Sequence, residues 1–187
     1  MRTLIFLLTL LTVTTSFGQN VFKGQVLSIV DKTPLANFSF RVDKEKLVKT
    51  DSLGSFSVYT TKDKVRLSTV FSLHSFDTTI SETNNMIQLF TAEKYDSTLA
   101  VYDITHNIFK LFCGVSFAPM AMMSYDTVFE KQFHVYYYVV GDFYPSSIDQ
   151  MTSYNKVVAA HLDKTYGEVW RKTVRQDVLG VTKKAGS

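Results

Sequence analysis

Apolar and polar side chains alternate in short runs between residues 21 and 90, and no helical period occurs there. The run at 38–42 is the clearest, because its three apolar side chains alternate with Ser39 and Arg41. A period of two indicates a strand with one buried face. Further strand-like runs lie at 21–30, 47–50, 55–59, 65–69, 76–80 and 86–90. The spacing predicts an all-β sandwich of about seven strands.

Turn-forming residues separate these runs. Pro34 fixes its own φ angle within the segment 31–37 and offers no backbone donor to a strand. In the segment 50–56, the Asp51 side chain can accept from the backbone two residues on, and Gly54 can adopt a positive φ. We therefore expect a hairpin between the runs at 47–50 and 55–59.

Three turn motifs follow one another in this part of the chain: Gly24-Gln25-Val26, Thr33-Pro34-Leu35-Ala36-Asn37 and Thr50-Asp51-x-x-Gly54-x-Phe56. Together with the closing strands, they resemble the carboxypeptidase regulatory-like domain, a transthyretin-like β-sandwich of seven strands. Domains of that family accompany carboxypeptidases, surface proteins and outer-membrane receptors, and they carry no catalytic residues of their own. The resemblance therefore implies an accessory domain over residues 19–90 and assigns no site to it.

Residues 91–187 have a different pattern, which predicts a small α+β region. The segment 91–107 is a polar connector, either a short helix or an extended strap, and 108–117 is an apolar strand or helix that periodicity cannot distinguish. A helix is expected from Ser124, with its inward face at Tyr125, Val128, Phe129 and Phe133. The run 135–140 does not alternate, which is typical of a strand covered on both faces.

Two further helices complete this region. One is expected to begin at 145–147, because Ser146 with Asp149, or Ser147 with Gln150, has the spacing of a capping box, and to stop at Gly167. The other follows apolar residues at four-residue steps and is expected to end at Gly180. Its apolar positions are Tyr166, Trp170, Val174 and Val178.

The first 18 residues have the layout of a signal peptide. Arg2 precedes an apolar run at 4–13, and the small residues Ser16 and Gly18 fit cleavage after Gly18. The run is about half the ~20 residues that a spanning helix needs, and no later segment reaches that length. We expect an exported protein, periplasmic or secreted, of a Gram-negative bacterial envelope, which is soluble after cleavage.

The net charge argues against two classes of binding partner, and the cysteine content excludes an intramolecular disulfide. A net charge of +3 is too small to indicate nucleic acid or an anionic membrane as partner. Cys113 is the only cysteine, so no intramolecular disulfide can form. We expect it to be a small buried hydrophobe, with intermolecular pairing or a reactive thiol as the alternatives.

Motifs for covalent or metal chemistry are missing from the sequence. The four histidines are not spaced as metal ligands, and no nucleophile elbow or phosphate loop occurs. No catalytic residue, metal or cofactor is therefore expected. Asp142 and Asp149 could act as an acid–base pair, but a turn and a helix N-terminus explain them more simply. The basic residues Lys164, Arg171, Lys172 and Arg175 are expected to form a solvated helical face with Glu168 and Asp177 as partners.

Clustered aromatic residues supply the candidate binding site. If only one face of the strand at 135–140 is buried, its other tyrosines form an exposed patch suited to a protein, peptide or glycan of the envelope. If both faces are covered, they belong to the core. The candidate binding residues are Tyr136, Tyr138, Phe143 and Tyr144.

Three functional hypotheses remain. The first is a non-enzymatic exported envelope protein whose sandwich scaffolds a C-terminal partner-binding unit. The second is a small envelope hydrolase with its site in the C-terminal region, and the third is a structural subunit of an outer-membrane assembly. An exposed tyrosine patch would favour the first hypothesis over the third, and a cleft with a perturbed acid would favour the second.

Overall fold

The computed structural model describes residues 19–69, 74–81, 86–114, 124–139 and 146–184. The predicted leader at 1–18, Asp142 and two of the candidate binding residues, Phe143 and Tyr144, lie outside these ranges. The chain is mostly β, with a helical C-terminal region. No helix in the described ranges is long and apolar enough to cross a bilayer.

Seven strands occupy the first part of the described chain: β1 (Asn20–Ser28), β2 (Ser39–Val42), β3 (Lys46–Lys49), β4 (Ser55–Thr60), β5 (Val65–Thr69), β6 (Asp77–Ile80) and β7 (Ile87–Thr91). They form a three-stranded sheet in the order β4-β1-β7 and a four-stranded sheet in the order β3-β2-β5-β6. Strands β1 and β7 are parallel, and the other neighbours are antiparallel. The alternating runs therefore predicted the strands of this part well.

One hydrophobic core draws side chains from both sheets. Its buried members are Phe22, Val26, Leu35, Phe40, Val42, Phe56, Val58, Val65, Leu67, Ile80 and Leu89. Most of them occupy every second position of a strand, because successive side chains of a strand point to opposite faces. The apolar positions that recur every two residues in the sequence are thus the inward-facing side chains of these strands.

The turn at 51–54 has the expected local geometry, but it does not close a hairpin. Asp51 Oδ1 accepts from the backbone N–H groups of Leu53 and Ser55, both at 2.8 Å, and Gly54 has a φ of +70°. The strand before the turn pairs with β2 and the strand after it pairs with β1. The Gly54 carbonyl accepts from Val26 N at 2.8 Å, which holds the turn against β1 as the chain passes between sheets.

We expect Gly24→Ala to destabilise the protein by about 1–3 kcal/mol, as overpacking of a tight core does. A Cβ at Gly24 would lie 2.5 Å from the Phe56 ring and 2.6 Å from the Ile87 carbonyl oxygen, so the ring and a neighbouring strand would both have to move. Urea unfolding measures the loss. Lys23→Ala, at the exposed preceding position, is the control and should change the free energy of unfolding by less than about 0.5 kcal/mol.

Four helices and two strands occupy the rest of the described chain: α1 (Ser97–Thr105), β8 (Lys110–Cys113), α2 (Ser124–Phe133), β9 (Tyr136–Val139), α3 (Ile148–Tyr166) and α4 (Trp170–Thr173). Strands β8 and β9 are parallel to each other. The connector at 91–107 therefore contains a helix, which Asp96 caps by accepting from Thr98 N and Leu99 N. The apolar run that begins at residue 108 contains a strand.

The ends of α3 agree with the sequence. Ser147 caps it, and Gln150 completes the capping box, which is the second of the two predicted pairs. Gly167 follows the last turn with a φ of +62°. The buried face of α3 carries Tyr154 and the polar residue Asn155.

The predicted helix through Val178 to Gly180 is wrong, because α4 ends at Thr173. Val174 takes an extended conformation, and the chain then runs along the free edge of β8. There Gly114 N donates to the Asp177 carbonyl at 2.6 Å, and Leu179 N donates to the Phe112 carbonyl at 3.0 Å. These hydrogen bonds pair backbone groups at the edge of β8. A continued helix would have left the same groups without these partners.

The predicted inward face of α2 is partly wrong. Phe129 and Phe133 are buried as expected, but Val128 is 63% exposed and Asp126 is fully buried instead. A carboxylate can take a core position when it is paired, and Asp126 Oδ2 accepts from Arg175 Nη1 at 2.9 Å. The side chain of Tyr125 lies outside the described part of the chain.

A second hydrophobic core lies in the helical region. It joins residues from α1, β8, α2, β9, α3 and α4, with Trp170 fully buried in it. Ile29 and Val30, which follow β1, pack against this second core. Cys113 is also a member, so the expectation of a small buried hydrophobe is confirmed.

Candidate functional site

Strand β9 is covered on one face only, which corrects the expectation of a strand covered on both. Tyr136 is 64% exposed and Tyr138 is 41% exposed, whereas Tyr137 between them is 8% exposed. Because alternate side chains of a strand share a face, Tyr136 and Tyr138 project to the same side. We call these two side chains the tyrosine face.

Contacts of Tyr137 fix which side of β9 is turned outward. Its ring stacks on Phe129 with the centroids 4.9 Å apart, and its hydroxyl accepts from Arg175 N at 3.1 Å. Burial raises the pKa of the Tyr137 phenol, so this hydroxyl stays protonated. A rotation that buried the tyrosine face would break these contacts and expose Tyr137.

An aromatic stack supports the tyrosine face from below. The register places Tyr138 beside Phe112 of β8, and the two rings meet edge to face at 5.7 Å. Phe112 is fully buried and packs against Tyr95 at 5.6 Å and Tyr154 at 4.9 Å. Tyr138 therefore rests on a rigid base and loses little side-chain entropy when a partner binds.

A lysine lies beside the other tyrosine. The register places Lys110 next to Tyr136, on the same face of the two-stranded sheet. Partial burial lowers the pKa of the Lys110 ammonium, while the charge of Asp103 acts in the opposite direction. Lys110 thus sets a positive charge at the border of the tyrosine face.

Asp103 is the centre of a buried polar cluster that sequence reasoning missed. Its Oδ2 accepts from the Tyr154 hydroxyl at 2.6 Å, which raises the pKa of Tyr154 further than burial alone does. Its Oδ1 lies 2.7 Å from His74 Nε2, within ion-pair distance although outside the geometry of a directed hydrogen bond. His74 precedes β6, Asp103 belongs to α1 and Tyr154 to α3. Such long-range contacts leave no signal in local periodicity.

The backbone edge of β9 is capped by a side chain. Glu130 Oε1 accepts from Tyr137 N at 2.9 Å. A carboxylate on an edge strand blocks the addition of another strand there. The geometry therefore favours recognition through the tyrosine side chains over extension of the sheet.

Cys113 and Asp149 are the described residues for which the sequence raised a reactive role. Burial raises the pKa of the Cys113 thiol to about 12, which makes it a poor nucleophile at neutral pH. Asp149 lies in the first turn of α3, as the simpler explanation of this residue required. Among the described residues, no group of three or more His, Cys, Asp or Glu side chains could hold a metal ion.

The predicted basic face does not form as one surface. Arg175 is buried, and it pairs with Asp126 at 2.9 Å and Asp177 at 2.7 Å. Arg171 pairs with Asp163 at 2.8 Å. Because α4 ends at Thr173, Arg175 lies beyond the helix that carries Arg171 and Lys172 and does not extend its exposed face.

A scan against protein-family models and a search of curated proteins found no match to this sequence. The resemblance of residues 19–90 to the carboxypeptidase regulatory-like domain therefore stays a prediction. The class that the fold itself defines is a mostly β protein with a helical C-terminal region. The tyrosine face belongs to the second part.

Proposed function

We propose that this chain is a non-enzymatic, exported cell-envelope protein. Its first part would be a transthyretin-like sandwich of the carboxypeptidase regulatory-like kind, which scaffolds a C-terminal unit that binds a protein partner. The leader-like residues 1–18 support export, and the order of the three sequence motifs supports the accessory domain. The proposal assigns partner binding to the tyrosine face.

The observation that carries the proposal is the exposure of two tyrosines on one face of β9, of which Tyr138 rests on a buried aromatic stack. Tyr136 is 64% exposed and Tyr138 is 41% exposed. Tyr137, between them in the same strand, is buried. Tyrosine is enriched at the energetic centres of protein interfaces, because it buries a large apolar area and still offers a hydroxyl. A protein partner that covers both rings would gain this area without reordering the strand.

Affinity capture from the native envelope fraction tests the proposal. The purified protein should retain a stoichiometric partner identified by mass spectrometry, and Tyr136→Ala/Tyr138→Ala should weaken its binding by about tenfold or more. Because Tyr138 also packs against Phe112, the double variant should lose about 1–2 kcal/mol of stability and should still fold.

Tyr59→Ala is the matched control, because Tyr59 is 56% exposed on β4, away from the C-terminal region. It should retain the partner at wild-type affinity. A partner that binds the double variant as well as the wild type would refute the role of the tyrosine face. The absence of any stoichiometric partner would refute the binding function itself.

A further inference from the structure

A second surface of the helical region has the composition of a ligand site. A cleft of about 360 Å³ lies between α2 and α4. Its lining residues are Val128, Phe129, Gln132, Lys172, Thr173 and Lys183. Volumes above about 300 Å³ are typical of clefts that hold small ligands or short peptide segments.

The charge of the cleft is uncompensated. No acidic residue lines it, and among the described residues neither Lys172 nor Lys183 forms an ion pair with a carboxylate. Two unpaired ammonium groups around one cleft attract an anion and raise its local concentration. The ligand is therefore expected to carry a negative group.

The wall that carries Lys183 is held in place. Arg171 Nη1 donates to the Thr182 carbonyl at 3.4 Å, and Lys184 N donates to the Arg171 carbonyl at 3.2 Å. The side chain of Lys184 pairs with Glu168. The segment is thus pinned to α4 on both sides of Lys183, and Lys183 is left to line the cleft.

The floor of the cleft is apolar and shallow. Phe129 is 3% exposed and forms its closed side, whereas Val128 is 63% exposed and open to a ligand. A long acyl chain needs a pocket that buries most of its surface, and this floor does not provide one. A single aliphatic side chain matches the exposed area of Val128 better.

We propose that this cleft binds the C-terminus of a peptide, with the terminal carboxylate between Lys172 and Lys183 and an aliphatic last side chain on Val128. Gln132 adds an amide that can pair with the peptide backbone. The site is distinct from the tyrosine face: Phe129 packs on Tyr137, whose ring lies on the opposite side of β9 from Tyr136 and Tyr138. It does not depend on the function proposed for that face.

Fluorescence anisotropy with a labelled pentapeptide that ends in Ala-Leu-Val tests the proposal. The peptide with a free carboxylate should bind about tenfold more tightly than the same peptide with a C-terminal amide, which is the combined effect of two exposed charge pairs. Lys172→Met/Lys183→Met should abolish this preference, and Val128→Glu should weaken binding of both peptides. Added salt should weaken binding of the acid peptide only.

The double variant Lys46→Met/Lys49→Met is the control, since both lysines are exposed on β3 and unpaired among the described residues. It should bind like the wild type. Equal affinity for acid and amide, or a Kd weaker than about 1 mM for both, would overturn the proposal. Displacement of the peptide by decanoate at a lower concentration than by the unlabelled peptide would assign the cleft to fatty acids instead.

Discussion

Arg175→Met should lower the free energy of unfolding by about 3–5 kcal/mol, the cost of removing one member of a buried ion pair. The Arg175 side chain is 4% exposed and its partner Asp126 is fully buried, so neither water nor salt can replace the lost guanidinium. The bonds to Asp177 would be lost as well, at 2.8 and 2.7 Å. Urea unfolding monitored by circular dichroism measures the difference.

Arg171→Met is the matched control. Its partner Asp163 is 38% exposed, so solvent can compensate the carboxylate, and we expect a loss of about 1 kcal/mol. If the cost of Arg175→Met comes from the buried charge of Asp126, which loses this ion pair, then adding Asp126→Asn to that variant should recover part of the stability. Equal losses for the two arginine variants would show that burial of the pair does not matter.

The effect of Arg175→Met should also depend on pH. Hydrogen bonds from Arg175 hold the pKa of Asp177 below its usual range. A group with a lowered folded-state pKa stabilises the fold above its unfolded pKa of about 3.9, and this contribution disappears as the pH falls through the folded value. The stability difference between wild type and variant should therefore be larger at pH 7 than at pH 3.

Turns and helix caps could be predicted from the sequence, whereas the pairing of the strands could not. Asp51, Gly54 and the capping box at Ser147 act over two to four residues, so their side chains alone determine the outcome. The strand pairing around the 51–54 turn is not local, because β3 lies at the edge of its own sheet and β4 nevertheless pairs with β1 in the other sheet. Asp43 and Lys44, both with positive φ, turn β3 back onto β2 as a hairpin.

The candidate site shows the same division. The aromatic run at 136–138 was visible in the sequence, but its exposure depends on what covers β9. Tyr137 is covered because α2 lies against it, and Tyr136 and Tyr138 stay open. The exposure of Val128 could not be predicted, because the helical period places Val128 on the buried face. In the structure Asp126 is buried instead, and its partner Arg175 lies 49 residues further along the chain.

The two recognition surfaces that we propose lie on one scaffold. The stack of Tyr137 on Phe129 joins β9 to α2, with the tyrosine face on one side and the cleft lined by Lys172 and Lys183 on the other. The two surfaces differ in chemistry, since one offers aromatic area and the other offers positive charge. A protein partner with an accessible C-terminus could use both, and the affinity would then exceed that of either contact alone.

Asn155→Leu should destabilise the protein by about 2–4 kcal/mol, since the Asn155 side chain takes the place of a strand partner for β8. Its Oδ1 accepts from Phe112 N, and its Nδ2 donates to the carbonyls of Phe112 and Leu179, all at 2.8 Å. Leucine leaves the buried Phe112 N without its acceptor, at about 1–3 kcal/mol, and removes a donor from the partly buried Leu179 carbonyl at a smaller cost. Urea unfolding measures the total loss.

Hydrogen exchange distinguishes this cause from a general loss of packing. The Phe112 amide should lose more protection in Asn155→Leu than the amides of α3 do, because its hydrogen bond acceptor is gone. Lys156→Leu places the same side chain at the exposed next position of α3 and should cost less than about 0.5 kcal/mol. Unchanged protection at Phe112, or a loss in Lys156→Leu as large as in Asn155→Leu, would contradict the role of Asn155 as the partner of the β8 edge.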